Sequence, residues 1–121
     1  MRRYCSVLFS IARRLLSDGA SVFVSGHEPH DAEMPWDTDP GGALAELSRL
    51  PGADERLHHA PADLEDPDAP DRLVAAAIER FGRIDVVVAS HARSSHQSFA
   101  EVTVEELDRC WAINARASLL L

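Results

Sequence analysis

Arg80-Phe81-Gly82-Arg83-Ile84-Asp85-Val86-Val87-Val88-Ala89 runs from a helix into a strand, and its reading decides the fold class. Just upstream, Leu73, Val74, Ala77, Ile78 and Phe81 fall at helical spacing and make one apolar stripe. Gly82 stops that helix, because glycine accepts the left-handed conformation a helix end needs. Ile84–Ala89 is then almost continuously apolar and holds three consecutive valines. Such a run suits a strand buried on both faces, and strands of that kind belong to parallel sheets covered by helices.

Working towards the N-terminus, Asp66-Pro67-Asp68 starts the helix Ala69–Phe81, with carboxylates at the positive end of its dipole. Arg56–Ala60 reads as a weak strand and Ala43–Leu50 as a short helix ended by Pro51-Gly52. Gly26–Gly42 is a polar loop with three prolines. Ala20–Ser25 is rich in β-branched and aromatic residues and reads as a strand. Ile11–Leu16 has helical spacing and stops at Ser17-Asp18-Gly19. Tyr4–Ser10 is expected to extend that helix upstream, with an edge strand as the alternative. Towards the C-terminus, Thr103-Val104-Glu105-Glu106 is a capping box opening a helix over Val104–Leu121. The alternation predicts an α/β domain of doubly wound parallel type, with Ala20–Ser25, Arg56–Ala60 and Ile84–Ala89 parallel in one sheet.

The 121 residues fit one domain. Net charge is −8 and every cation is an arginine. An acidic domain without a basic stripe argues against nucleic-acid binding, which needs clustered cations. Met1-Arg2-Arg3 with Tyr4–Ala12 has the outline of a signal peptide, but Arg13-Arg14 close the run and no small-residue cleavage site follows. No run approaches the ~18 apolar residues of a membrane span. A cytoplasmic protein with Cys5 and Cys110 as idle thiols is expected.

From Ile11 onward an ordered set of segments resembles the short-chain dehydrogenase/reductase family. Ile11-Ala12-Arg13-Arg14-Leu15 with Asp18-Gly19-Ala20-Ser21-Val22 resembles its first helix and second strand. Ala62-Asp63-Leu64 resembles its adenine-binding turn, and Arg80 to Val88 its fourth helix and strand. Ala112-Ile113-Asn114-Ala115-Arg116-Ala117 resembles the helix that carries a catalytic asparagine. The resemblance covers about the first half of a family domain. It implies a partial Rossmann-like, dinucleotide-binding domain over residues 1–121, lacking the first strand and the C-terminal half. The activity implied is hydride transfer between NADP(H) or NAD(H) and a small carbonyl or secondary alcohol, in the manner of 3-oxoacyl reductases.

Departures from the family pattern limit that inheritance. A pyrophosphate cradle needs glycines at a helix N-terminus, and Tyr4–Ser10 contains none. The family's Asn-Asn-Ala-Gly aligns with Ala89-Ser90-His91-Ala92. Its tyrosine–lysine pair has no counterpart, since Tyr4 is the sole tyrosine and lysine is absent. The chain therefore reads as a truncated copy, inactive and without bound cofactor on its own.

Asn114, the sole asparagine, lies on the expected buried stripe, where an amide needs a specific partner; a helix face rotated slightly towards solvent is the alternative. Its catalytic role would be vestigial here. Asp63 and Leu64, with Ser90, are the candidate adenine contacts; Asp63 as a plain solvated acid is the alternative. Gly26-His27 puts no acid at the ribose position, a lean towards NADP over NAD. No metal site is expected. His27-Glu28-Pro29-His30-Asp31 with His58-His59 reads as solvated loop histidines, and Asp37–Gly41 departs from a calcium loop at Ser48. Ser94-Ser95-His96 reads as loop polarity. The rival to the enzyme reading is a non-catalytic interaction module whose exposed apolar edges lead to self-association or a partner chain.

Overall fold

The computed structural model describes residues 6–27, 29 and 42–121. Its chain forms two compact units, Met1–Pro61 and Ala62–Leu121.

The first unit contains α1 (Ser6–Ser17), β1 (Val22–Val24), α2 (Gly42–Ser48), α3 (Ala53–Arg56) and β2 (Leu57–His59). Among the described residues the segment upstream of Ile11 continues the helix, as expected; Tyr4 and Cys5 lie outside them. Phe9, Ala12 and Leu16 make the inward stripe of α1 and meet Leu47 of α2, with Val22, Val24, Leu50 and Leu57 packed against them. Gly19 turns the chain out of α1 at φ 93°, a value that costs a residue with a Cβ. β1 and β2 are parallel, pairing Val22 with Leu57, Phe23 with His58 and Val24 with His59.

Arg56 ties this unit together. Its Nη1 donates to the carbonyls of Leu16 (2.7 Å) and Ala20 (3.1 Å), and its Nη2 to that of Pro51 (2.7 Å). A half-buried guanidinium thus bonds carbonyls at the end of α1 and in two loops.

The second unit contains α4 (Ala69–Phe81), α5 (Val104–Trp111), a π-helical turn (Ala112–Arg116) and α6 (Ala117–Leu120). Asp66 rather than Asp68 holds the entry to α4: its carboxylate accepts from the Asp68 N–H (2.9 Å) and from Arg72 Nη2 (2.5 Å). Gly82 ends the helix at φ 83°. Thr103 caps α5 by accepting from the Glu106 N–H at 3.2 Å.

One expectation is overturned. Ile84–Ala89 forms no strand, and the sheet among the described residues has two strands, not three. Val86 is 74% exposed, and Ile84, Val87 and Val88 are exposed with it. A strand exists only where a neighbour takes its backbone groups, and the second unit supplies none. Among the described residues no helix is long and apolar enough to cross a membrane.

Candidate functional site

The segment Gly82–Val102 has no helix or strand of its own, yet one point in it is firmly held. Asn114 sits in the π-helical turn, where the Ala117 N–H reaches back five residues to the Ala112 carbonyl. Its Oδ1 accepts from the Arg93 N–H at 2.7 Å and its Nδ2 donates to the Arg93 carbonyl at 3.0 Å. The side-chain amide therefore grips both main-chain groups of one residue, as a neighbouring strand would. The expected specific partner is present, but the expected burial is not: Asn114 is exposed. The π-turn adds a residue to the helical repeat and shifts the faces beyond Trp111.

The Arg93 side chain is anchored independently. Its Nη2 lies 2.9 Å from Glu106 Oε2 and its Nε 3.1 Å from Oε1, with both side chains about nine-tenths buried. Hydrogen bonding from Arg93 holds the Glu106 carboxyl below the usual carboxylate range. Glu65 adds looser ion pairs to Arg93 (3.9 Å) and Arg109 (3.8 Å), and its carbonyl accepts from Arg116. Cys110 lies between Glu106 and Asn114, its Sγ 3.7 Å from Glu106 Oε1; burial pushes its thiol pKa up.

Among the proposed adenine contacts, Asp63 is exposed and its Oδ1 accepts from the Glu65 N–H at 2.9 Å, shaping the turn. Leu64 and Ser90 are half-buried. Glu65, directly after this turn, links it to Arg93. His91 Nε2 lies 3.1 Å from Ser118 Oγ, a second tie between the irregular segment and the last helix. Ser95 Oγ accepts from the Gln97 N–H at 3.2 Å, a local turn contact. His58 packs against Phe23 with ring centres 5.2 Å apart. His27 is described, whereas Glu28, His30, Asp31 and Asp37–Gly41 lie outside the described residues. Arg93, Glu65 and Glu106 escaped the sequence reading as site residues, since an ion pair across an irregular segment leaves no periodic trace.

The residues present do not fit a dinucleotide pyrophosphate. Val7, Leu8 and Phe9 occupy the first turn of α1. Among the described residues the glycines with positive φ are Gly19, Gly52 and Gly82, and none opens α1. A Cβ at Gly52 would meet Arg56 Nη2 at 2.9 Å, so that space is already filled from within.

This arrangement is that of a Rossmann-like α/β oxidoreductase domain represented in part. A family model described as enoyl-(acyl carrier protein) reductase matches residues 5–121. The chain belongs to the short-chain dehydrogenase/reductase family. It is similar to an indene-carboxyl-CoA reductase of Mycobacterium tuberculosis, 33% identical over 98 residues that cover 81% of this chain and 34% of that protein. It is also similar to human dehydrogenase/reductase SDR family member 4, 33% identical over 114 residues covering 93% of this chain and 37% of the relative. Among solved structures, a short-chain dehydrogenase/reductase variant from Serratia marcescens superposes with a TM-score of 0.73 at 25% identity, covering 93% of this chain and 42% of that one. A Brucella melitensis family member gives 0.72 at 27% identity, covering 93% and 41%. The chain thus spans about a third of the length of the curated relatives it matches.

Proposed function

We propose that this chain is part of an oxidoreductase that moves a hydride between NADP(H) or NAD(H) and a small carbonyl or secondary alcohol, and that the 121 residues alone perform no turnover. On this reading residues 1–121 are one partial dinucleotide-binding domain of a cytoplasmic protein. The observation that carries it is the two-handed grip of Asn114 on Arg93, at the position that matches the family's asparagine. Asp63, Leu64 and Ser90 are what this chain contributes on the adenine side. Against independent activity stand the absent lysine and the sole tyrosine at position 4, because the family's proton transfer uses that pair. With no glycine before Gly19, dinucleotide affinity should be about millimolar or weaker. The test is purified chain with NADPH or NADH and a panel of aldehydes and ketones, alongside titration calorimetry. No turnover and no low-micromolar binding are expected; turnover that persists in an Asn114→Ala, Tyr4→Phe double variant would reveal a contaminant, and turnover abolished by it would overturn the proposal.

A second reading rests on the exposed run Ile84, Val86, Val87 and Val88. Such a patch favours self-association or a partner chain over solvent. Sedimentation velocity across a concentration series should show growing species. A single monomer at every concentration would remove this reading.

A further inference from the structure

We propose that Arg93 is a positioning residue: its side chain, fixed to Glu106 and Glu65, selects which main-chain residue Asn114 grips. For its bearing on function the proposal rests on the reading of Asn114 given above; its geometry stands alone.

Residue 93 is held from three places on one helix. Glu106 takes the guanidinium through two hydrogen bonds, Cys110 Sγ lies 4.0 Å from the Arg93 carbonyl, and Asn114 takes the Arg93 N–H and carbonyl. These residues follow one another at four-residue steps. Four residues overshoot an α-turn of about 3.6 but fall short of a full π-turn. The π-helical turn at Ala112–Arg116 therefore opposes the drift of the first step.

The Asn114 amide cannot choose its own register. Each main-chain position around residue 93 offers the same N–H and carbonyl, and the segment from Gly82 to Val102 has no sheet to fix it. Ala92 carries no polar side-chain group and Ser94 only a hydroxyl, so neither can pair with a carboxylate at two points as a guanidinium does. A planar guanidinium on a carboxylate has a fixed two-point geometry. The pair therefore supplies the register information that the amide lacks.

The chain contains one asparagine and one glutamine, Asn114 and Gln97. A nitrogen–proton correlation spectrum thus shows just two side-chain amide pairs, with Gln97 as internal reference. In the unchanged chain the Asn114 protons should exchange with solvent at least about tenfold more slowly than those of Gln97. Arg93→Ala should bring them to the Gln97 rate, and Arg93→Lys should leave a partial effect. Joint exchange of Arg93→Glu and Glu106→Arg should restore protection. Retained protection in Arg93→Ala, with backbone dispersion intact, would overturn the proposal. Should Arg93→Ala lose the fold, the isosteric Glu106→Gln decides: protection unchanged sinks the idea, protection lost with α4 amides unmoved supports it. None of these readouts involves turnover, so the hydride-transfer reading and this one fail separately.

Discussion

Val22–Val24 and Ile84–Val88 are chemically alike, both β-branched and apolar, yet only the first is a strand. Val22 and Val24 pack on the cluster of Ala12, Leu16 and Leu47, and the run pairs in parallel with Leu57–His59. Ile84–Val88 has neither a floor nor a neighbour within its own unit, and Val86 stands 74% exposed. Strand character is thus conferred by what lies alongside the residues. Asn114 illustrates the same point from the other side: one amide gives Arg93 the two hydrogen bonds of a strand neighbour, whereas the valines before it stand exposed.

The contrast can be broken most sharply at Leu16, which is 1% exposed beneath β1. Leu16→Ala should lower unfolding free energy by about 2–5 kcal/mol in urea titration. A loss below about 1 kcal/mol would mean the first unit is not packed as described. Next comes Arg56→Met, which removes the guanidinium's hydrogen bonds to three carbonyls. A loss of about 1–3 kcal/mol is expected, with Arg56→Lys between the two.

A pH series sharpens the second unit. Arg93 holds the Glu106 carboxyl below its ordinary value, so this carboxylate contributes stability above the unfolded pKa of about 4.3 and loses it as pH falls through the lower folded value. Asp66, Asp85, Glu101 and Glu105 are lowered too. The readout is therefore the gap in urea midpoint between the unchanged chain and Arg93→Ala. It should be full at pH 7 and shrink as pH falls below about 4.3; a gap that does not change with pH would place its origin in packing instead of charge. The smallest effect belongs to Val87→Thr, which should alter stability by no more than about 0.5 kcal/mol while weakening self-association in sedimentation. A larger loss would show that the valine run is covered in solution.

Most helices were legible because their evidence is local. The stripe from Leu73 to Phe81, the glycine at 82 and the cap at Thr103 each act within a turn or two of the residues they organise. Asn114 was legible as a residue with a specific partner, although the burial from which that partner was argued is not found. The identity of that partner was not legible, because Arg93 lies 21 residues away across a segment without periodicity.

The sequence by itself determined the α/β order, the parallel pairing of the first two strands implied by that order, and the absence of any glycine from the first turn of α1. These follow from spacing, turn chemistry and the inventory of side chains. Tertiary structure alone decided that Ile84–Ala89 is not a strand, that the helix after Trp111 widens into a π-turn, and that Glu65, Glu106 and Asn114 converge on Arg93. Each depends on which groups from distant positions become neighbours, and hydrogen-bond partners at long range are fixed by packing, not by any pattern along the chain.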